Sequence, residues 1–431
     1  MPTVELGLTL NDVAVITPVL RTRALPALHT LELPWRNNPS VAWLRGGEGF
    51  LGWGVAAREH FSGEERFSRA QRWAQKQLGD ARIHDSMGPH RTAPMAFASF
   101  TFDDDSEGSV VVIPRTVLGL RNGMSWRTDL ILPGDQEDEW RGGESGYEDL
   151  LTESVPEMPM AHWHDQEADA AQWRSAVFES VKRITTGELD KVVLARHIEV
   201  SFDAELPLVP VLARLSDQFP ECWTFHIDGL IGATPELLVQ RCRDRVASRV
   251  LAGSAAANAN RTDNDQAATD LLASAKDLAE HTYAVRSVAH ALAIHCTDMH
   301  VPASPRVLQL PNVQHLATDI RGYLADGASA LALAASLHPT AAVCGTPTER
   351  ARGVIQELEQ TDRGRYSGPV GWFDTNGDGE FAIALRCAQI SAAGTEARLL
   401  AGCGLVADSD ADAEYAESEI KLDAMRRVLD P

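Results

Sequence analysis

The sequence predicts an α+β fold in which antiparallel sheets pack against long helices. Apolar runs are punctuated by hairpin turns, the clearest being Asn376-Gly377-Asp378-Gly379 between Pro369–Asp374 and Glu380–Ile390. Ala268–Cys296 carries Leu271, Leu278, Val285 and Leu292 at seven-residue intervals, which predicts one long helix.

From residue 1 to 164 the chain is irregular, with strand-like runs at Val110–Pro114 and Leu130–Leu132 between acidic and glycine-rich loops. Glu153–Met160, carrying Pro156 and Pro159, reads as a connection, so 1–164 forms a divergent N-terminal part and 165–431 the denser region. There, Gln172–Thr185 reads as a helix and Lys191–Val200 as a strand. Val211–Phe219 is a second helix, with Pro210 just ahead of it. Cys222–Ile227, Glu236–Arg241 and Val246–Ala252 have strand length and apolar content. Ser329–Leu337 is expected to be helical and Arg398–Val406 extended. Asp410–Leu429 is a final helix with Ser409 as its N-cap.

The formal net charge of −22, with acidic clusters at Asp103–Asp105 and Asp135–Glu139, disfavours binding to phosphate backbones or anionic lipid. No apolar run is long enough to span a bilayer, and Met1–Leu20 lacks the pattern of a signal peptide, so a cytoplasmic protein is expected. The six cysteines form no C-x-x-C pair, which points to reduced thiols rather than a zinc site or disulfide framework.

Two motifs are decoys. Gly47-Glu48-Gly49-Phe50-Leu51-Gly52 matches a dinucleotide fingerprint, but Trp53-Gly54-Val55-Ala56 reads as a strand returning from Ala42–Leu44, where pyrophosphate binding needs a helix N-terminus. Asp374–Gly379 opens like a calcium loop and makes a calcium-binding regulatory protein the alternative from another functional class. Its twelfth position, which should be a bidentate glutamate, is Leu385.

Charged residues at telling positions suggest chemistry. Glu414, Glu417 and Lys421 share one face of the last helix, and Glu280 lies beside the apolar stripe of the long one. Carboxylates from two helices facing one space suit a hard divalent cation, whereas solvated helix charges are the plainer reading. Lys191, Glu236 and Arg386 interrupt apolar strands, where an unpaired charge is costly. A desolvated lysine suits proton abstraction, and a guanidinium seeks a carboxylate.

Together these segments resemble the chorismate-utilising family of anthranilate, aminodeoxychorismate, isochorismate and salicylate synthases. The resemblance runs from Leu189 to Leu429, through Leu251-Ala252-Gly253-Ser254, Leu272–His281, Gln314-His315-Leu316-Ala317-Thr318, Leu337-His338-Pro339-Thr340, Asp362–Gly368, Ala401-Gly402-Cys403-Gly404 and Glu414–Lys421. It implies two stacked, mostly antiparallel sheets with flanking helices and an active site in a cleft. It also implies that Glu280 and Glu417, with Glu414 nearby, bind Mg2+, which holds the ring carboxylate of chorismate. Arg386 and Tyr366 are expected to bind the enolpyruvyl carboxylate. Gly253, Ser254, His338, Ala342, Leu385, Gly402 and Lys421 are expected to contact substrate. Lys191 matches the general base that activates water for attack at C2, and Glu236 the general acid that protonates the departing 4-hydroxyl. Anthranilate synthases tend to carry Gln at position 191, and aminodeoxychorismate synthases that use a nucleophilic lysine carry it at position 252. Lys191 with Ala252 therefore implies water as nucleophile. His338, where salicylate synthases usually have Phe, favours isochorismate synthase over salicylate synthase. The resemblance implies a monomer or weak homodimer serving menaquinone or siderophore biosynthesis.

Overall fold

The computed structural model describes residues 18–25, 31, 38–85, 93–132, 156–164, 167–257, 261–359 and 361–430. The acidic cluster Asp135–Glu139 lies outside them, as does most of Met1–Leu20; residues 156–160 of the expected connection have no regular structure. Among the described residues every strand joins one hydrogen-bonded network, antiparallel except where Val19–Ala24 meets Arg82–Asp85.

The network has two arms. The first runs from Lys191–Phe202 through Glu396–Leu405, Cys387–Ile390, Leu230–Thr234, Trp223–Ile227 and Val41–Arg45 to Glu48–Phe61 and Ser109–Arg121. From that last strand the second departs through Met95–Ser99, Pro369–Asp374, Gly379–Ile383, Leu237–Cys242 and Arg245–Ala256 to Val313–Leu324. Ser109–Arg121 can serve both because its halves have different neighbours: residues 110–112 pair with Phe97–Ser99, and residues 116–121 with Met124–Asp129. Pro114 lacks an amide proton, and a bulge at Val55/Ala57 lies beside it, so the ladder is free to bend there. The two expected sheets are thus arms of one continuous sheet.

Side chains of both arms meet in a common interior. Trp43, Phe50 and Phe225 from the first lie among Val370, Trp372 and Ala382 from the second. Phe50 and Trp372 meet edge-on with ring centroids 5.0 Å apart, a favoured aromatic geometry. Trp43 and Trp223 each donate an indole N–H to Glu380 Oε1, at 2.7 and 2.8 Å, and Gln240 donates to Glu380 Oε2. Helices cover the outer faces; Ala275–Leu292 packs on Arg245–Ala256, and Ala411–Leu429 on Glu396–Leu405.

Several elements differ from expectation. The long helix is two, Arg261–Ala273 and Ala275–Leu292, because Ser274 leaves helical geometry and its side chain caps Asp277 N. Asp410, not Ser409, caps the last helix by accepting from Asp412 N and Ala413 N. Pro210 lies inside the first turn of Leu208–Gln218, where its missing amide proton costs nothing. The glycine-rich decoy is a hairpin between Val41–Arg45 and Glu48–Phe61. In the other decoy, Asp374 Oδ1 accepts from Asn376 N and Asp378 N, both at 2.9 Å, which ties that carboxylate into the turn. Glu380–Ile390 is broken into Gly379–Ile383 and Cys387–Ile390, which lie in different arms.

Candidate active site

The chain passes between the arms in two short crossings, at Pro235-Glu236 and at Ala384–Arg386. Glu236 and Arg386 therefore sit where strand pairing lapses and side chains are free to face a cleft. The crossings are laced together: Ile383 N donates to Glu236 O and Ala233 N to Arg386 O, both at 3.1 Å. Arg386 has φ +48°, a left-handed conformation that is costly for a bulky side chain and that these neighbours hold in place.

The cleft is lined by Glu236, Ala252–Ser254, Glu280, His315, Ala342, Tyr366, Leu385, Arg386, Gly402, Gly404 and Lys421, among others. Gly253 forms a bulge in its strand at φ +77°, with Asp277 packed against the space a side chain would need. Gly404 leaves room for the Glu280 carboxylate, with which any Cβ would collide.

Glu236 is 4% exposed, and its carboxylate accepts only a long bond from Leu251 N at 3.4 Å. Burial pushes its pKa up to about 8, so the group is protonated at neutral pH despite the fields of Lys191, Arg386 and Lys421. Lys191 is fully buried behind the cleft wall. Its Nζ lies 3.2 Å from Glu280 Oε1 as an ion pair without hydrogen-bond geometry.

His315 was not expected as a site residue. Burial first, then the charges of Arg386 and Lys421, push its pKa down to about 3, so the ring is neutral. Its Nε2 faces Arg386 Nη2 at 3.2 Å and its Nδ1 faces Gly253 O at 3.4 Å. A neutral imidazole satisfies both only by accepting from the arginine and donating to the carbonyl, which fixes the tautomer and steadies the guanidinium. Burial also raises the Tyr366 phenol to about 12, leaving it a neutral hydroxyl. Arg386 and Tyr366 thus present a cation and a hydroxyl to an anionic ligand.

His338 is not among the residues that line this cleft. Its ring is half-buried between Phe67 and Phe102, with Nε2 2.9 Å from Phe102 O. The turn after Leu337 brings Ala342 to the cleft, and desolvation lowers the His338 pKa to about 4.

The acidic residues separate into two groups. Glu414, Glu417 and Cys403 place ligand atoms within 4.8 Å of one another. Glu280 is not among them and is paired with Lys191. Burial, then the neighbouring Glu417, raises the Glu414 pKa. Burial also works against Glu417, but the Lys421 ammonium at 2.5 Å and a 2.9 Å bond from Ser254 outweigh it and hold that carboxyl below its usual range. Burial keeps Cys403 a thiol, and its Sγ donates to Glu414 O at 3.2 Å. The available donors are carboxylate oxygens rather than a thiolate, a set that fits a hard cation such as Mg2+.

A family model described as "Chorismate binding enzyme" matches residues 15–430. The chain is 39% identical to isochorismate synthase MenF of Bacillus subtilis over 61% of its own length, but the match spans only 56% of that relative. It is 32% identical to a salicylate biosynthesis isochorismate synthase of Pseudomonas aeruginosa, over 91% of this chain and 85% of that protein. The structure of the menaquinone-specific isochorismate synthase MenF from Escherichia coli superposes with a TM-score of 0.77 at 24% identity, covering 96% of this chain and 95% of that one; this likeness concerns the fold.

Proposed function

Because the chain belongs to the chorismate-binding enzyme family, we propose that it interconverts chorismate and isochorismate, with water attacking C2 and the 4-hydroxyl leaving. The observation that carries this reading is Glu236, a carboxyl kept protonated in a cleft that also presents Arg386 and Tyr366 to an anion. Lys191, once released from Glu280 as a neutral amine that reaches the cleft, takes the proton from the attacking water while Glu236 gives its own to the departing hydroxyl. One water enters and one leaves, so the composition is unchanged, and exchanged roles make the reaction reversible. Arg386, steadied by His315, and Tyr366 bind the enolpyruvyl carboxylate and fix the ring between base and acid. Glu414 and Glu417 would hold Mg2+, joined by Glu280 on its release from Lys191, and the ion when bound supplies positive charge for the ring carboxylate.

Chromatography of the products from chorismate and Mg2+ tests this. An equilibrium mixture of chorismate and isochorismate is expected. Stoichiometric salicylate and pyruvate, or anthranilate formed with ammonia, overturns it. Full turnover in excess chelator removes the metal centre.

A further inference from the structure

In this structure both carboxylates of the acidic cluster, and Glu280 outside it, are each held by a lysine: Glu417 by Lys421 at 2.5 Å, Glu414 by Lys276 at 2.7 Å and Glu280 by Lys191 at 3.2 Å. The three ammonium groups are not equivalent. The Lys191 and Lys421 side chains are 0% and 9% exposed, locked in the protein, whereas that of Lys276 is 32% exposed and can withdraw into solvent. Lys276 also lies in the field of Glu414, Glu417 and Glu280 together. It follows the Ser274 cap of Ala275–Leu292 closely, and the positive end of a helix disfavours a cation there. A partly exposed ammonium with this placement is well suited to holding a buried carboxylate and also to releasing it.

We propose that Lys276 is a removable counter-charge: it neutralises Glu414 while no divalent cation is bound and yields that carboxylate when one binds. The role rests on the metal centre proposed above. Glu414 is only 2% exposed, so its charge needs a partner in either state. The ammonium allows the carboxylates to be assembled without a cation. Its displacement and lingering repulsion then weaken cation binding below what the oxygen donors alone would give.

The test is calorimetric titration of the full-length protein with MgCl2, alongside thermal unfolding with and without Mg2+. Lys276→Met retains side-chain length and removes the charge. It should bind Mg2+ about tenfold more tightly than wild type and unfold at a lower temperature in chelator. Its Tm should then rise more on adding Mg2+ than that of wild type. Lys276→Arg should stay near wild type, and Lys276→Gln provides a second neutral variant should Lys276→Met fold poorly. If the neutral variants bind Mg2+ equally or more weakly, Lys276 is a fixed support for Glu414 and this role is overturned, although the metal centre stands. Undiminished wild-type turnover in excess chelator refutes the metal centre itself, and the Lys276 role with it.

Discussion

Glu236 links catalysis to stability through one proton. Its carboxyl is held near 8 rather than 4.5, so turnover should decline as pH rises through about 8 and the acid loses its proton. The folded state binds this proton more tightly than the unfolded chain does. Its contribution to stability therefore becomes less favourable as pH climbs from about 4.5 to about 8 and is constant above that window. Glu236→Gln should lower turnover by roughly two to four orders of magnitude while gaining stability relative to wild type across the same window, measured by denaturant unfolding at several pH values. An unchanged stability gap would show that the carboxyl is not held protonated. Lys191, Glu236 and Arg386 could be singled out from the sequence because a charge within an apolar strand demands a reason. His315 carried no such signal. Its importance lies in which groups face its two nitrogens, a tertiary fact.

At the level of elements, the last helix is the part that must hold still, because it carries Glu414, Glu417 and Lys421. Tyr415 fastens it. The Arg174 guanidinium lies 4.1 Å and that of Arg196 4.6 Å from the centre of its ring, and Arg196 Nη2 also donates to the Tyr415 hydroxyl at 3.2 Å. Tyr415→Ala should cost about 1–3 kcal/mol in unfolding free energy and raise the Mg2+ concentration needed for half-maximal turnover. Loss of stability with no change in metal requirement would mean that the clamp does not position the carboxylates. The helix itself was legible from its spacing, as was the hairpin around Gly377. The break in Glu380–Ile390 was not, because eleven residues of apolar, strand-forming sequence look continuous and arginine seldom adopts a positive φ.

For the whole molecule, the two arms are joined by more than apolar contact. Glu380 on the second arm accepts from both Trp43 and Trp223 on the first, and both indoles are 2% exposed. Glu380→Ala strands those donors and Gln240, and should cost about 2–5 kcal/mol, measured as a fall in the denaturation midpoint. A loss below about 1 kcal/mol, the net worth of one ordinary hydrogen bond, would show that the arms are held without this pin. The continuity of the sheet was hidden in the sequence because the segment preceding residue 165 looks unlike the rest, yet Ser109–Arg121 is the strand from which the second arm departs. That junction has a further consequence. A fragment starting at residue 165 would keep every proposed catalytic group but lose the partners of Thr224–Ile227 and Val370–Asp374. Two rows of backbone amides and carbonyls would then be bare along apolar strands, a template for pairing with other copies. Such a fragment should precipitate or form β-rich aggregates, and addition of the missing segment in trans during refolding should suppress them.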